Sequence, residues 1–307
     1  MKTILRWVFD RPLSKGTEIS GQYRIKDVLG MGSYGITYLA ERLDGSGPCV
    51  VKQLRRTKSW TSDGRKSFDR EAEILRTLGS PAAPRLYDVL DSGRKCFIVM
   101  EYIDGKTFED LIFDEGRIFD ERETVLVLLE VLRIVSSIHA RGMIHRDLRI
   151  PNILESKEGI RIIDYGLACS LTEAGETVYR HPEKKLMRSV SVKSDFYALG
   201  HFALFLLYSG YIPKTKEEKS WEEELCISAG LKAVLRKMLQ IDPPYNSAVD
   251  IIADLESNLS PGLVIKENLE SKGMVANEFN FDHRSRTDGI GARALSCKAG
   301  CAVSHHR

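Results

Sequence analysis

Hydrophobic and polar positions change their period along this chain. From Tyr23 to Leu54, apolar residues tend to alternate with polar ones and glycines separate the runs. Residues 23–30, 34–43 and 49–54 are therefore predicted as three strands. Residues 66–79 switch to helical spacing, with Phe68, Ala72, Leu75 and Leu78 on one face and Gly79 and Pro81 at and beyond the end. Residues 85–91 and 96–102 return to strand character around an Asp91-Ser92-Gly93 turn. After Gly105 helical periodicity dominates. Residues 123–142, 195–210, 230–240 and 248–259 read as helices, broken by a β-rich stretch over 152–166. A β-rich part thus precedes a helix-rich part, joined near Glu101 to Asp104. Past Pro261 the pattern fades into polar, glycine-dotted sequence that turns basic from His283, and flexibility is expected there.

Composition narrows the class. With 43% hydrophobic and 29% charged residues among 307, the chain is an ordinary globular protein, not a disordered, fibrous or multi-span membrane chain. The 45 basic and 43 acidic residues give a net charge of +2, too even to indicate a nucleic-acid partner, and none is expected. Cys49, Cys96, Cys169 and Cys226 stand singly, mostly in apolar runs, which suits reduced, buried thiols and a cytoplasmic location. No apolar run reaches the roughly 18 residues of a membrane span, so no transmembrane segment is expected. The apolar start, broken by Arg6, is too short for a secretion signal. Ile4, Leu5, Val8 and Phe9, flanked by basic residues, either pack on the folded body or make weak contact with an anionic membrane surface. Cys297, Cys301, His305 and His306 share a helical step, but Gly300 and the lack of a core argue against a metal site.

Four features carry candidate chemistry. Gly30-Met31-Gly32-Ser33-Tyr34-Gly35 lies between two predicted strands. Its glycines would let backbone N–H groups approach phosphate oxygens; a plain glycine-bearing hairpin is the other reading. Lys52 sits in an apolar strand, either on its solvent face or as a buried cation that needs a partner such as Glu71. Asp147 and Asn152 stand five apart in a predicted loop, because Pro151 blocks helix continuation. A carboxylate there can orient a hydroxyl nucleophile, and an amide oxygen can ligate a divalent metal. Asp164-Tyr165-Gly166 closes the predicted strand over 161–164 with a second oxygen ligand, or with a simple turn.

Taken in order, these features resemble the protein kinase superfamily. His181-Pro182-Glu183 is similar to the family's Ala-Pro-Glu, and Ser194-Asp195-Phe196-Tyr197-Ala198-Leu199-Gly200 to its helix-F aspartate motif. The resemblance covers about residues 23–259 and is nearest to bacterial eukaryotic-like serine/threonine protein kinases. It implies an α+β, two-lobed protein-kinase-like fold with a small β-rich N-lobe and a larger helical C-lobe. The expected organisation is an extension over 1–20, a nucleotide-binding N-lobe over 21–103, a catalytic and substrate-binding C-lobe over 104–260, and a flexible tail over 261–307.

The resemblance also implies roles. Lys52 would hold the ATP phosphates and be held by Glu71, preferred over Glu73. Asp147 would accept the substrate proton, with Arg149 beside it where serine/threonine kinases usually carry lysine. Asn152 and Asp164 would ligate Mg²⁺. Gly30, Met31, Gly32, Ser33, Tyr34 and Gly35 would cover the phosphates. Met100 resembles the gatekeeper, and the Glu101 and Tyr102 backbone would meet the adenine; Leu154 joins this nucleotide-binding set. Leu75, Leu86, His145 and Tyr165 resemble a hydrophobic spine. Arg146 would face an activation-loop phosphate, with Ser170 and Thr172 as candidate phosphosites and Thr177 and Tyr179 shaping the substrate platform. The implied activity is transfer of the ATP γ-phosphate to Ser/Thr hydroxyls of protein substrates, with autophosphorylation. Arg149 leaves tyrosine open, Asn246 replaces the usual partner of the Ala-Pro-Glu glutamate, and Thr37 replaces an adenine-covering valine. A small-molecule phosphotransferase generally lacks the last two motifs. A pseudokinase scaffold typically loses Lys52, Asp147 or Asp164, all retained here.

Overall fold

The computed structural model describes residues 10–32, 35–78, 83–91, 95–173, 181–213, 217 and 219–259. Of these, the residues within Met1–Phe108, Ser137–Thr177 and Arg188–Ser191 form one compact unit, and those within Glu109–Ser136, Val178–Met187 and Val192–Arg307 a second.

In the first unit, strands β1 (Glu18–Ile19), β2 (Tyr23–Met31), β3 (Gly35–Arg42), β4 (Gly47–Leu54), β5 (Leu86–Asp91) and β6 (Cys96–Glu101) form one sheet in the order β1-β2-β3-β4-β6-β5. Every pairing is antiparallel. Strand alternation gathers Ile25, Ile36, Tyr38, Cys49, Val51, Phe97 and Val99 into one buried cluster on a single face. Lys52 is out of phase with Cys49 and Val51, so its side chain takes the opposite face. Two register shifts interrupt the β2–β3 ladder as it approaches the glycine-rich turn. Such bulges bend a strand and change the direction in which the chain leaves it.

Helix α1 (Arg56–Ser59) and helix α2 (Ser62–Leu78) come after β4, and α2 packs against β4 and β5. Its buried face carries Phe68, Glu71, Ala72 and Leu75, as the periodicity predicts. The helix begins four residues before the predicted start. Gly64 lowers helix propensity there and conceals the extension in the sequence.

The chain ahead of Tyr23 is built into this unit from Asp10 onward. The Asp10 carboxylate accepts from the Thr57 backbone N–H at 3.1 Å and from the Thr57 hydroxyl at 2.7 Å, satisfying an otherwise orphaned donor at the start of α1. The Leu13 N–H donates to the Tyr38 hydroxyl at 3.0 Å, which in turn donates to Gln53 at 2.9 Å. Strand β1 is too short for any periodicity to reveal. Ile4, Leu5, Val8 and Phe9 lie outside the described residues, as do 261–307 with Cys297, Cys301, His305 and His306.

Further along, β7 (Gly105–Thr107), helix α3 (Phe108–Phe113), helix α4 (Glu121–His139), β8 (Met143–Ile144), a 3₁₀ turn (Ile150–Asn152), β9 (Ile153–Ser156), β10 (Gly159–Ile162) and β11 (Cys169–Ser170) succeed one another. β10, β9 and β7 form a three-stranded sheet, and β8 pairs with β11. Pro151 sits in the first turn of the 3₁₀ segment, where its missing N–H is tolerated, so the predicted loop is one helical turn. Cys49, Cys96 and Cys169 are buried free thiols, whereas Cys226 is exposed.

The second unit contains helices α5 (Pro182–Arg188), α6 (Val192–Tyr208), α7 (Trp221–Glu224), α8 (Ala229–Met238) and α9 (Ala248–Asn258), except that Arg188 itself belongs to the first. Helix α6 is buried on nearly all sides, which explains its continuous apolar run. Ser228 caps α8 by accepting from the Leu231 N–H, and Ser247 caps α9 by accepting from the Asp250 N–H. α5 and α7 have no apolar stripe to announce them. Among the described residues, no single helix is long and apolar enough to cross a membrane.

His201 on α6 is buried at 4% exposure and meets the Tyr197 ring edge-on at 4.7 Å. Its Nε2 has no hydrogen-bond partner among the described residues. Burial pulls its pKa from 6.5 down to about 4. Below pH 6.5 an unfolded chain takes up a proton here that the folded chain refuses until about pH 4. Stability is therefore lost as the pH falls through that window, by about 3 kcal/mol in all. Chemical denaturation at pH 7 and pH 4.5 is expected to show a smaller acid loss for His201→Phe than for the parent; equal losses would refute this.

Candidate active site

Lys52 lies at the centre of the site. Strand β4 sends it to the α2 side of the sheet, and its ammonium reaches both Glu71 oxygens at 2.6 and 2.8 Å and Asp164 Oδ1 at 2.7 Å. The buried-cation reading of Lys52 therefore holds, with a side-chain exposure of 12%. Burial by itself would lower the lysine pKa, but the two carboxylates outweigh it and hold the ammonium above its ordinary value. Burial pushes Glu71 up, against the pull of Lys52. Asp164 also feels burial, yet Lys52 and the Gly166 N–H bring its carboxyl down to about 2. One ammonium between two carboxylates leaves local negative charge, an environment that suits a further cation. Glu73, the alternative to Glu71, is exposed and paired with Arg76.

Asp164 does not end a strand, contrary to the sequence reading. β10 stops at Ile162, and Asp164 sits in the left-handed region at φ 60°. That conformation costs energy for a residue with a Cβ, and such residues concentrate at functional sites. Gly166 comes two residues later because space is lacking: a Cβ there would lie 3.2 Å from Asp164 Oδ1, 3.3 Å from Glu71 Oε2 and 3.3 Å from Lys52 Nζ. Ser67 on α2 donates to the Gly166 carbonyl at 3.0 Å and ties the helix to this turn.

Asp147 is the second centre. It is buried at 6% exposure, directly after Arg146, whose φ is 64°. Asn152 Nδ2 donates to the Asp147 carbonyl at 2.8 Å and to Asp147 Oδ2 at 3.0 Å. That fixes the amide and leaves its oxygen as the group that can ligate a metal. Arg149 contacts Asp147 Oδ1 through Nε at 2.9 Å and Oδ2 through Nη2 at 3.4 Å. His145 accepts from the Asp147 N–H at Nδ1, 3.3 Å away, so its proton lies on Nε2, which donates to the Ile163 carbonyl at 3.2 Å. The ring also meets Tyr165 edge-on at 4.6 Å, so two of the four residues expected to form a spine are in contact.

The remaining predicted residues divide. Gly30 stands in open space and a Cβ on Gly32 would meet the Gly35 carbonyl at 3.8 Å, an ordinary contact, whereas a Cβ on Gly35 would lie 3.1 Å from the Gln53 carbonyl and 3.3 Å from the Lys52 stem. Ser33 and Tyr34 lie outside the described residues. Met100 and Leu154 are buried, and Thr37 pairs with Lys52 across β3 and β4. Glu101 donates its N–H to the Arg85 carbonyl at 2.9 Å, so that donor is already engaged. Its carboxylate accepts from the Arg85 N–H at 3.0 Å and from Arg161 at 3.1 Å. Ser170 lies in β11 with its hydroxyl 2.8 Å from that of Thr172, and Thr177 and Tyr179 fall outside the described residues. Arg188, which sequence reasoning passed over, donates to Asp147 Oδ1 at 2.8 Å. It lies outside every recognisable motif, and no spacing rule would have found it.

Comparison with known proteins gives the family. Residues 23–286 match the protein kinase domain family. The chain is 33% identical over 255 residues to the probable serine/threonine-protein kinase YbdM of Bacillus subtilis, covering 83% of this chain and 96% of that one. It is 30% identical to serine/threonine-protein kinase B of Synechocystis, covering 85% of this chain and 50% of the relative. For PknB of Mycobacterium tuberculosis the identity is 28%, over 78% of this chain and 43% of the relative. The chain thus spans half or less of these two longer proteins. The crystal structure of the Mycobacterium tuberculosis PknI kinase domain shares the fold at a TM-score of 0.62 and 22% identity, covering 80% of this chain and 99% of that one. The family match over residues 23–286 and the 33% identity across 83% of the chain decide its membership: the chain belongs to the protein kinase domain family.

Proposed function

We propose that this protein transfers the γ-phosphoryl group of ATP to serine and threonine hydroxyls of protein substrates. The observation that carries this reading is the three-way contact of Lys52 with Glu71 and Asp164, beside an Asp147 fixed by Asn152. Residues 21–103 supply nucleotide binding and 104–260 the catalytic and acceptor-binding part. Lys52 holds the nucleotide phosphates, with Glu71 keeping its ammonium in place. Gly30 and Gly32 leave room for backbone N–H groups to approach the phosphates. The Glu101 carbonyl and the Tyr102 backbone face the adenine, with Met100 and Leu154 as apolar neighbours. Asp147 orients the acceptor hydroxyl and takes its proton as that oxygen bonds to phosphorus and the bond to the ADP oxygen breaks.

Asp164 and the Asn152 amide oxygen suit Mg²⁺. Among the described residues no group of three or more His, Cys, Asp or Glu is arranged to hold a metal ion. Mg²⁺ fits such a sparse donor set, because it takes one or two protein carboxylates and fills its octahedron with water and phosphate oxygens. When bound, the ion neutralises charge on the phosphates.

The hydroxyl preference is that of the serine/threonine relatives, although Arg149 departs from their usual lysine. Incubation with Mg²⁺ and γ-labelled ATP, then phosphoamino-acid analysis, is expected to give mainly phosphoserine and phosphothreonine. A product dominated by phosphotyrosine would overturn the serine/threonine assignment. Incorporation into a small alcohol or amine but into no protein would instead favour a small-molecule phosphotransferase.

A further inference from the structure

Asp147 carries one more donor than the transfer machinery supplies. An ionised carboxylate offers about four lone-pair sites. Asn152 Nδ2 takes one on Oδ2 at 3.0 Å. Arg149 Nη2 takes another on Oδ2 at 3.4 Å, while its Nε makes an ion-pair contact with Oδ1 at 2.9 Å. These donors come from the same short loop as Asp147. The third comes from Arg188 at the end of α5, whose Nη2 lies 2.8 Å from Oδ1.

The Arg188 contact is built, not casual. Its other guanidinium nitrogen donates to the Arg146 carbonyl, and Arg146 Nη2 returns a bond to the Arg188 carbonyl at 2.6 Å. The two arginines therefore clasp each other, each donating to the other's carbonyl, while Arg188 also reaches the Asp147 carboxylate. The Arg188 side chain is 25% exposed while that of Asp147 is 7% exposed, so the outer member of the pair is the one that incoming chains can reach.

We propose that Arg188 is an autoinhibitory latch: its guanidinium occupies the place on Asp147 that an acceptor hydroxyl must take, and a protein substrate has to displace it. This rests on Asp147 acting as the proton acceptor in phosphoryl transfer. Oδ2 already accepts from Asn152 and Arg149, so Oδ1 is the oxygen that offers an incoming hydroxyl its lone pairs, and Arg188 sits on that oxygen. Release of Arg188 frees one on Oδ1 and leaves Arg149 and Asn152 to hold the carboxylate in place. The latch acts on acceptor engagement and not on nucleotide binding, because Lys52, Glu71 and Asp164 make none of these contacts.

Steady-state kinetics with Mg²⁺-ATP and dephosphorylated casein, together with autophosphorylation, test this on the full chain. Arg188→Ala and Arg188→Gln are expected to raise kcat/KM for casein about tenfold, the scale of one charge-assisted hydrogen bond. KM for ATP should stay within about twofold, and Arg188→Lys, which keeps a cation, should stay near the parent. Glutamine keeps a neutral polar side chain where alanine keeps none, so the two variants separate loss of the cation from loss of the side chain's packing. Unchanged or lower kcat/KM in both variants, with melting temperatures kept, overturns the latch. Failure of both variants to fold assigns Arg188 to holding the loop and overturns it as well. Absence of phosphate transfer to casein or to the protein itself, in parent and variants alike, removes the kinase reading and the latch with it.

Discussion

Asp147→Asn is expected to lower kcat for protein phosphorylation about a thousandfold, the scale of a lost general base. Asparagine keeps the shape of the side chain and can still accept at one oxygen. It cannot take a proton from the acceptor hydroxyl at neutral pH. Its Nδ2 would also face donors, since Asn152, Arg149 and Arg188 all point N–H groups at this carboxylate. The variant should therefore bind ATP normally while transfer collapses. Single-turnover assays with labelled ATP, alongside nucleotide-binding titration, check both halves. Near-parental transfer would move the proton acceptor elsewhere.

Lys52→Met should be nearly as damaging, by about two to three orders of magnitude in kcat, because it removes a preorganised charge aimed at the phosphates. It also removes the cation shared by Glu71 and Asp164. Glu71 is buried and would be left as an unpartnered carboxylate in low dielectric, so it is expected to take up a proton. Its folded pKa, already raised by burial, would then lie well above its unfolded value. A carboxyl of that kind stabilises the fold fully below its unfolded pKa and progressively less as the pH rises through the folded one. The variant's melting temperature should therefore fall from pH 5 to pH 8 relative to the parent. Glu73→Gln, on the exposed side of α2, should change neither activity nor that pH trend. Transfer rates near the parent for Lys52→Met would refute the assignment of the phosphate-binding cation.

The sequence by itself determined the ordered motifs and most of the regular elements. Phe68, Ala72 and Leu75 announce the buried face of α2 because a 3.6-residue period leaves no other solution. Alternation over β2, β3 and β4 likewise marks one apolar face, and the unbroken apolar run of α6 marks a core helix. Asp147, Asn152 and Asp164 are legible because their chemistry needs oxygen groups at fixed spacing next to proline and glycine turns. Tertiary structure decided what spacing cannot encode. Whether Lys52 faced water or Glu71 depended on which side of β4 met α2, and so did the choice of Glu71 over Glu73. The left-handed backbone at Asp164 shows only in three dimensions, since strand propensity runs on through Ile163. Short elements such as β1, α5 and α7 have too few residues to display a period; β1 forms by pairing with β2, and α7 starts where the Glu223 carboxylate accepts from the Ser220 N–H. Arg188 reaches Asp147 across 41 residues of chain, a contact set by where the backbone returns to the loop and not by any local pattern.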